Sequence, residues 1–306
     1  MNQGPITIGL SYRPPLDAEW LLAFLTRRAV TGVEEVRGDG RYRRSLRLPG
    51  GPGVIELGPG RERVHARFWL HDERDLADAV HRCRALLDLD RDPRPVTEAL
   101  GADPVLGPLV RAAPGRRVPG HVDGHELALR AVLGQQVSVA AATTLAARLV
   151  AAYGEPLDRP VGAVTHLFPT AAALVCAGPD ALAMPAARRR AVRSLAGALD
   201  RGELMLDASA DRPSTERALL ALPGIGPWTA AYIAMRALKD PDAFLPTDLG
   251  VRRGLEALGR DGRPVAALAL AERWRPYRAY GVQHLWAAAA AATAPRPGPE
   301  HTLAAR

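Results

Sequence analysis

Two cysteines and one lysine are all that this sequence holds of either type. Cys83 and Cys176 lie far apart with no CxxC spacing, so neither a zinc site nor a cysteine-ligated iron-sulfur cluster can be assembled within one chain. Both read as small buried apolar residues. The single lysine, Lys239, restricts any side-chain amine chemistry to that position. No apolar run is long enough to span a bilayer, and the start, MNQGPITIGLSYRPP, lacks a charged stretch followed by an apolar core. The expected setting is a reducing cytoplasm, with no membrane involved. No fixed-period repeat stands out, which speaks against a helical solenoid.

What is present is ordinary globular composition: 47% apolar and 24% charged residues in a chain of 306. That length accommodates two or three domains, or one large one. The formal charge of +7 and pI of about 10.1 come almost wholly from arginine and favour an anionic partner. GC-rich codon usage accounts for the same excess, since alanine, glycine and proline are also abundant. The charge therefore supports nucleic-acid binding only in company with a motif.

Asp17 to Val30 reads as a helix capped by Asp17, with Trp20, Leu21, Phe24 and Leu25 forming an apolar core stripe. Alternation at Leu46 and Leu48, a turn-rich stretch from Pro49 to Gly53 followed by the apolar Val54, Ile55 and Leu57, and renewed alternation at Val64, Ala66, Phe68 and Leu70 then predict an antiparallel meander, followed by a helix from about Asp72 to Leu89. From about Asp90 the strand signal gives way to helical periodicity broken by proline and glycine. The expected fold is mostly α with an N-terminal α+β domain: residues 1–89, then an all-helical region over 90–292 and a loose Pro/Ala-rich tail over 293–306.

Within the helical region, residues 214–238 place two apolar helices about the turn Leu222-Pro223-Gly224-Ile225-Gly226. Gly224 and Gly226 allow a tight turn and close backbone approach, and the free N–H groups at the start of the second helix suit an anion such as a DNA phosphate. Taken alone, a GxG turn is also that of an ordinary αα-hairpin. Asp248, following Phe244-Leu245-Pro246-Thr247 and preceding an apolar helical pattern, reads by itself as a helix cap. Trp228 and Tyr232, four residues apart, share one helix face, as a core pair or as a stacking surface. Trp274, Tyr277 and Tyr280 read as packing residues.

The string LPGIGPWTAAY resembles the hairpin of the helix-hairpin-helix DNA glycosylase superfamily. The likeness continues in YRPPLDAEWLLAFLTRRAVTGVE, LPGHVDGHELALRAVLGQQVSVAAA, FLPTDLGVRR and WRPYRAYGVQHLW, spanning Tyr12 to Trp286 in the family order. Within the superfamily the chain is similar to the DNA-3-methyladenine glycosylase II family. That resemblance implies a TBP-like antiparallel sheet domain followed by two helical subdomains that flank a cleft. It implies that Asp248 is the catalytic carboxylate, with Trp228, Tyr232 and Trp286 holding the base, and that Gly224, Gly226 and Thr229 belong to the DNA-binding face. Gln136 falls at the position of the residue that wedges into the duplex, where other members carry leucine.

The implied activity is hydrolytic release of alkylated bases flipped out of double-stranded DNA, by a monomer needing no metal or cofactor. A carboxylate at a helix N-terminus is favoured in its ionised form, and an anion there stabilises positive charge developing on the sugar. Aromatic faces suit a cationic alkylpurine by about 0.5 to 2 kcal/mol of cation-π energy. Trp228 stands where the lyase branch carries its Schiff-base lysine, so the resemblance implies a monofunctional enzyme. Two alternatives remain: a non-catalytic hairpin protein that binds damaged DNA, and a glycosylase for another lesion class.

Overall fold

The computed structural model describes residues 4–178 and 184–293. The tail expected to be loose lies, beyond Thr293, outside the described residues. The N-terminal part contains β1 (Ile6–Ser11), α1 (Ala18–Thr26), β2 (Glu34–Val36), β3 (Tyr42–Leu48), β4 (Gly51–Gly58), β5 (Arg63–Leu70) and α2 (Leu76–Leu86). Its strands form one antiparallel sheet in the order β1-β5-β4-β3-β2. The meander β3-β4-β5 follows the alternation expected of it, with Tyr42 opposite Leu57 and Ile55 opposite Phe68. Strand β1 was not anticipated, although Ile6, Ile8 and Leu10 alternate; it pairs along β5 from Ile6↔Phe68 to Ser11↔Arg63.

One face of the sheet buries Tyr42, Leu46, Ile55 and Phe68 against Leu21 and Phe24 of α1 and Ala79, Cys83 and Leu86 of α2. Asp17 caps α1 as expected, its carboxylate accepting from the Trp20 N–H at 3.1 Å. The helix stops at Thr26 rather than Val30. The chain turns there, and Val30 and Val33 enter the core of the helical part instead.

That part consists of α3 (Pro93–Gly101), α4 (Gly107–Ala112), α5 (Gly124–Leu133), α6 (Val139–Tyr153), α7 (Ala171–Val175), α8 (Ala186–Asp200), α9 (Arg212–Leu220), α10 (Pro227–Arg236), α11 (Leu249–Ala257), α12 (Pro264–Ala271) and α13 (Arg278–Thr293). It is not all helix: β6 (Glu155–Val161) and β7 (Val164–Leu167) form a two-stranded sheet between α6 and α7. Pro156 and Pro160 obscured this hairpin, because proline cannot donate to a ladder and reads as a break. The hairpin lies on the second face of the large sheet, where Ser45 Oγ donates to the His166 carbonyl at 2.7 Å. Cys176, expected to be buried, is exposed, because it ends the five-residue α7 at its solvent side.

A buried ionic cluster fastens the sheet to α5. Arg44 meets Glu126 at 2.6 Å and Glu34 at 3.4 Å, while Arg130 reaches Glu34 at 2.9 Å and Glu126 at 2.8 Å. Two cations and two anions balance, which makes their burial tolerable; deleting one partner would cost about 3–5 kcal/mol. Arg130 also donates to the Arg28 carbonyl at 2.5 Å, so the cluster holds the end of α1 against the helical part.

Candidate active site

Asp248 is the N-cap of α11, and its Oδ1 accepts the Val251 N–H at 2.9 Å. The cap and the site are therefore one residue. Two indoles converge on the same carboxylate: Trp228 Nε1 donates to Oδ2 at 2.9 Å and Trp286 Nε1 donates to Oδ1 at 2.7 Å. Three N–H donors from α10, α11 and α13 thus fix its orientation. Trp286 can come this close because residue 250 is glycine; a Cβ there would lie 2.6 Å from Trp286 Cδ1.

The carboxylate lies in a cleft of about 1240 Å³. Trp228 and Tyr232 stack with centroids 5.2 Å apart and planes at 15°, as their spacing on α10 suggested. Trp286 joins them, 6.5 Å from Tyr232. Phe24, read from the sequence as core, stacks on Trp286 at 5.9 Å and 17°. It is both things, a fully buried side chain and a cleft wall.

Two arginines missed by sequence reasoning also line the cleft. Arg236, only 5% exposed, donates to the carbonyls of Pro119 and Gly120 and to the Tyr232 hydroxyl, each within 2.8 Å. The half-buried Arg28 lies with Cζ 3.7 Å from the centroid of Phe24 and 5.9 Å from that of Trp286. Burial pushes the Arg28 guanidinium down to about 10, which leaves it a cation at neutral pH. Burial alone would raise the Tyr232 phenol, but the charges of Arg236 and Arg28 outweigh it and hold the phenol below the ordinary tyrosine range. The only signal for these arginines in the sequence was their position one helical turn after Phe24 and Tyr232.

The hairpin between α9 and α10 forms one rim of the cleft. Gly224 has φ +83°, in the left-handed region, and a Cβ there would meet the Ala191 side chain of α8 at 2.6 Å. Gly226 differs: its φ of −101° suits any residue, and nothing lies within 4 Å of where its Cβ would be. As N-cap it supplies no side-chain acceptor, so the first N–H groups of α10 remain open toward an anion.

Gln136 is exposed in the loop between α5 and α6, with φ +55°. Its neighbour Gln135, which the sequence did not single out, ties that loop to the hairpin. The Gln135 amide donates to the Gly224 carbonyl and to Thr229 Oγ1, both at 2.9 Å, and Arg188 of α8 donates to its carbonyl. Thr229 is 2% exposed, so it serves here as an internal anchor for the loop. Trp274 and Tyr280 are buried away from the cleft, as packing residues. Lys239 lines a small cavity beside Asp88 and Tyr280 and is not part of the cleft. Among the described residues no group of three or more His, Cys, Asp or Glu side chains is placed to hold a metal ion.

The sequence profile of the AlkA N-terminal domain matches residues 7–123. DNA-3-methyladenine glycosylase 2 of Escherichia coli is 38% identical over 282 residues, covering 90% of this chain and 95% of that protein. A probable bifunctional transcriptional activator/DNA repair enzyme AlkA of Mycobacterium tuberculosis is 50% identical over 285 residues, 93% of this chain. This chain spans only 57% of that relative's length. Among solved structures, a 3-methyladenine DNA glycosylase from Archaeoglobus fulgidus superposes with a TM-score of 0.80 at 22% identity, covering 94% of this chain and 99% of that one. At that identity the superposition speaks for the fold.

Proposed function

The chain belongs to the DNA-3-methyladenine glycosylase 2 family, and we propose on that footing that it is a monofunctional DNA glycosylase releasing alkylated bases from double-stranded DNA. The observation that carries the reading is the Asp248 carboxylate, held by two indole N–H groups in an aromatic-walled slot. A base flipped from the duplex stacks in that slot, with the vacated space in the helix filled by Gln136. As the bond from base to sugar breaks, positive charge develops on the sugar, and the preorganised anion of Asp248 stabilises it without reorganising. Water, oriented or deprotonated by the same carboxylate, completes the hydrolysis. The hairpin N–H groups and surrounding arginines hold the phosphate backbone, so affinity falls as salt rises.

Trp228 has no amine, and Lys239 lies outside the cleft, so no Schiff base forms and the product strand keeps an intact abasic site. The test is incubation with methylated duplex DNA, with released bases resolved by chromatography and borohydride added to trap any protein-DNA adduct. Wild-type protein should release methylated bases and trap nothing. Asp248→Asn keeps a good N-cap and should bind duplex with unchanged affinity, while releasing bases at least about 100-fold more slowly. Release at the wild-type rate by that variant would remove Asp248 from the chemistry. A robust adduct would replace hydrolysis with lyase chemistry.

A further inference from the structure

The face of the large sheet turned away from α1 and α2 is covered only in part. At one end the β6-β7 hairpin packs Leu157, Val164 and Leu167 against Val54 and Trp69. At the other end Thr7, Gly9 and Ser11 of β1 are exposed, and Arg63, His65 and Arg67 alternate beside them along β5. None of the exposed large apolar side chains among the described residues lies in this open part.

Glu56 projects from β4 into the middle of the open part and is nonetheless 1% exposed, because arginines cover it. Arg43 reaches its carboxylate at 2.5 Å, Arg41 at 3.2 Å, Arg37 at 3.3 Å and Arg67 at 3.5 Å. Two carboxylate oxygens can accept from all four guanidinium groups, but one negative charge offsets only one of them. Asp39 beside Arg37 and Arg41, and Glu35 beside Arg43, offset two more. Arg63 is exposed and joins no ion pair among the described residues. Five arginines therefore share three carboxylates on this face.

Two glycines let arginines lie down on the strands. A Cβ at Gly9 would lie 2.9 Å from Arg63 Cδ, and one at Gly58 would lie 3.3 Å from Arg41 Cγ. The cationic layer is thus largely positioned before any partner arrives, which lowers the ordering cost of binding. Its chemistry selects the partner. A protein partner is held through an apolar and aromatic centre, which this face lacks, whereas a nucleic-acid backbone is held by positive charge and phosphate-matched donors. The guanidinium fork fits a phosphate in two-point contact.

We propose that this face binds the sugar-phosphate backbone of duplex DNA, as a second segment besides the one in the cleft. The two sites are separate: Trp20, Phe24, Arg27 and Arg28 of α1 line the cleft, α1 packs on the opposite face of the sheet, and none of the five arginines lines the cleft. One chain then holds two segments at once and passes between them without full release. The inference goes beyond the glycosylase reading, since binding here involves no flipped base and no bond cleavage.

The experiment saturates the protein with an unlabelled duplex bearing an abasic-site analogue and follows a fluorescently labelled undamaged duplex by anisotropy at several salt concentrations. Wild-type protein should still bind the labelled duplex. The double variant Arg63→Gln, Arg67→Gln, checked for folding by circular dichroism, should bind it about tenfold more weakly, with the slope of log affinity against log salt smaller by about 2. Single-turnover base release from a short methylated duplex, which needs only the cleft, should stay within twofold of wild type. No binding of the labelled duplex by wild-type protein, or equal affinity and salt slope in the double variant, would overturn the second site while leaving the glycosylase reading intact. Displacement of the labelled duplex by polyglutamate at lower concentration than by unlabelled duplex would overturn it in favour of an acidic protein partner. Loss of base release by wild-type protein with the labelled duplex still bound would overturn the glycosylase reading and uphold the second site.

Discussion

Trp286 Nε1 donates to Asp248 Oδ1 across 2.7 Å, joining the middle of α13 to the first turn of α11. Trp286→Phe keeps an aromatic wall and deletes this donor. A hydrogen bond to a charged group contributes about 1.5–3 kcal/mol, so base release should slow by roughly 10- to 100-fold, with duplex affinity retained. Gly250→Ala should have the same effect by displacing the indole, since its Cβ would overlap Trp286 Cδ1. Single-turnover kinetics on methylated DNA checks both variants. Rates equal to wild type would mean that the indole contributes only its ring.

Gln135 is the bolt between the loop carrying Gln136 and the hairpin. Gln135→Leu removes both donations at nearly constant volume, and the loop loses its fixed position over the cleft. Base flipping, followed by the fluorescence of 2-aminopurine placed beside a lesion, should weaken several-fold while binding to undamaged duplex stays the same. Gln135→Glu should be at least as harmful, because its carboxylate would face the Gly224 carbonyl. A flipping signal unchanged in both variants would show that the loop is held by other means.

The two hairpin glycines should separate on substitution. Gly224→Ala places a side chain at φ +83° and against Ala191, which costs at least about 1–2 kcal/mol and lowers the melting temperature. Gly226→Ala meets no protein atom and should melt as wild type. Its methyl group instead occupies space in front of the α10 N-terminus, so duplex affinity at fixed salt should fall. Equal losses of stability in the two variants would contradict the geometry of the turn.

His284 of α13 is 3% exposed, and burial, reinforced by the charge of Arg116, pushes its imidazole down to about 3. An unfolded chain takes up the proton near pH 6.5, whereas the folded one refuses it. Stability is therefore fully present above about pH 6.5 and declines as the pH falls toward 3, because the unfolded state binds more protons across that window. Between pH 6.5 and 5 this single group should cost about 2 kcal/mol. Denaturant midpoints measured at the two pH values should lie closer together in His284→Gln than in wild type, the buried His121 adding its own dependence of the same sign, and an unchanged gap would remove His284 as a source.

What the sequence by itself determined is what a short window encodes. Asp248 caps α11 because capping joins residues three apart, the turn at Gly224 follows from glycine's access to positive φ, and the meander follows from alternation along β3, β4 and β5. Likeness to known glycosylase segments then added Trp286 to the same pocket. The tertiary structure alone decided how these parts act on one another. Phe24 lies on a helix whose periodicity marks it as core, and it becomes a cleft wall only because α13 brings Trp286 against it. Arg28 and Arg236 carry no pattern that distinguishes them from the many surface arginines, yet both meet at Tyr232. Which faces of α1, α10 and α13 come together depends on burying the apolar stripes of all three at once, and no window of sequence contains more than one of those stripes.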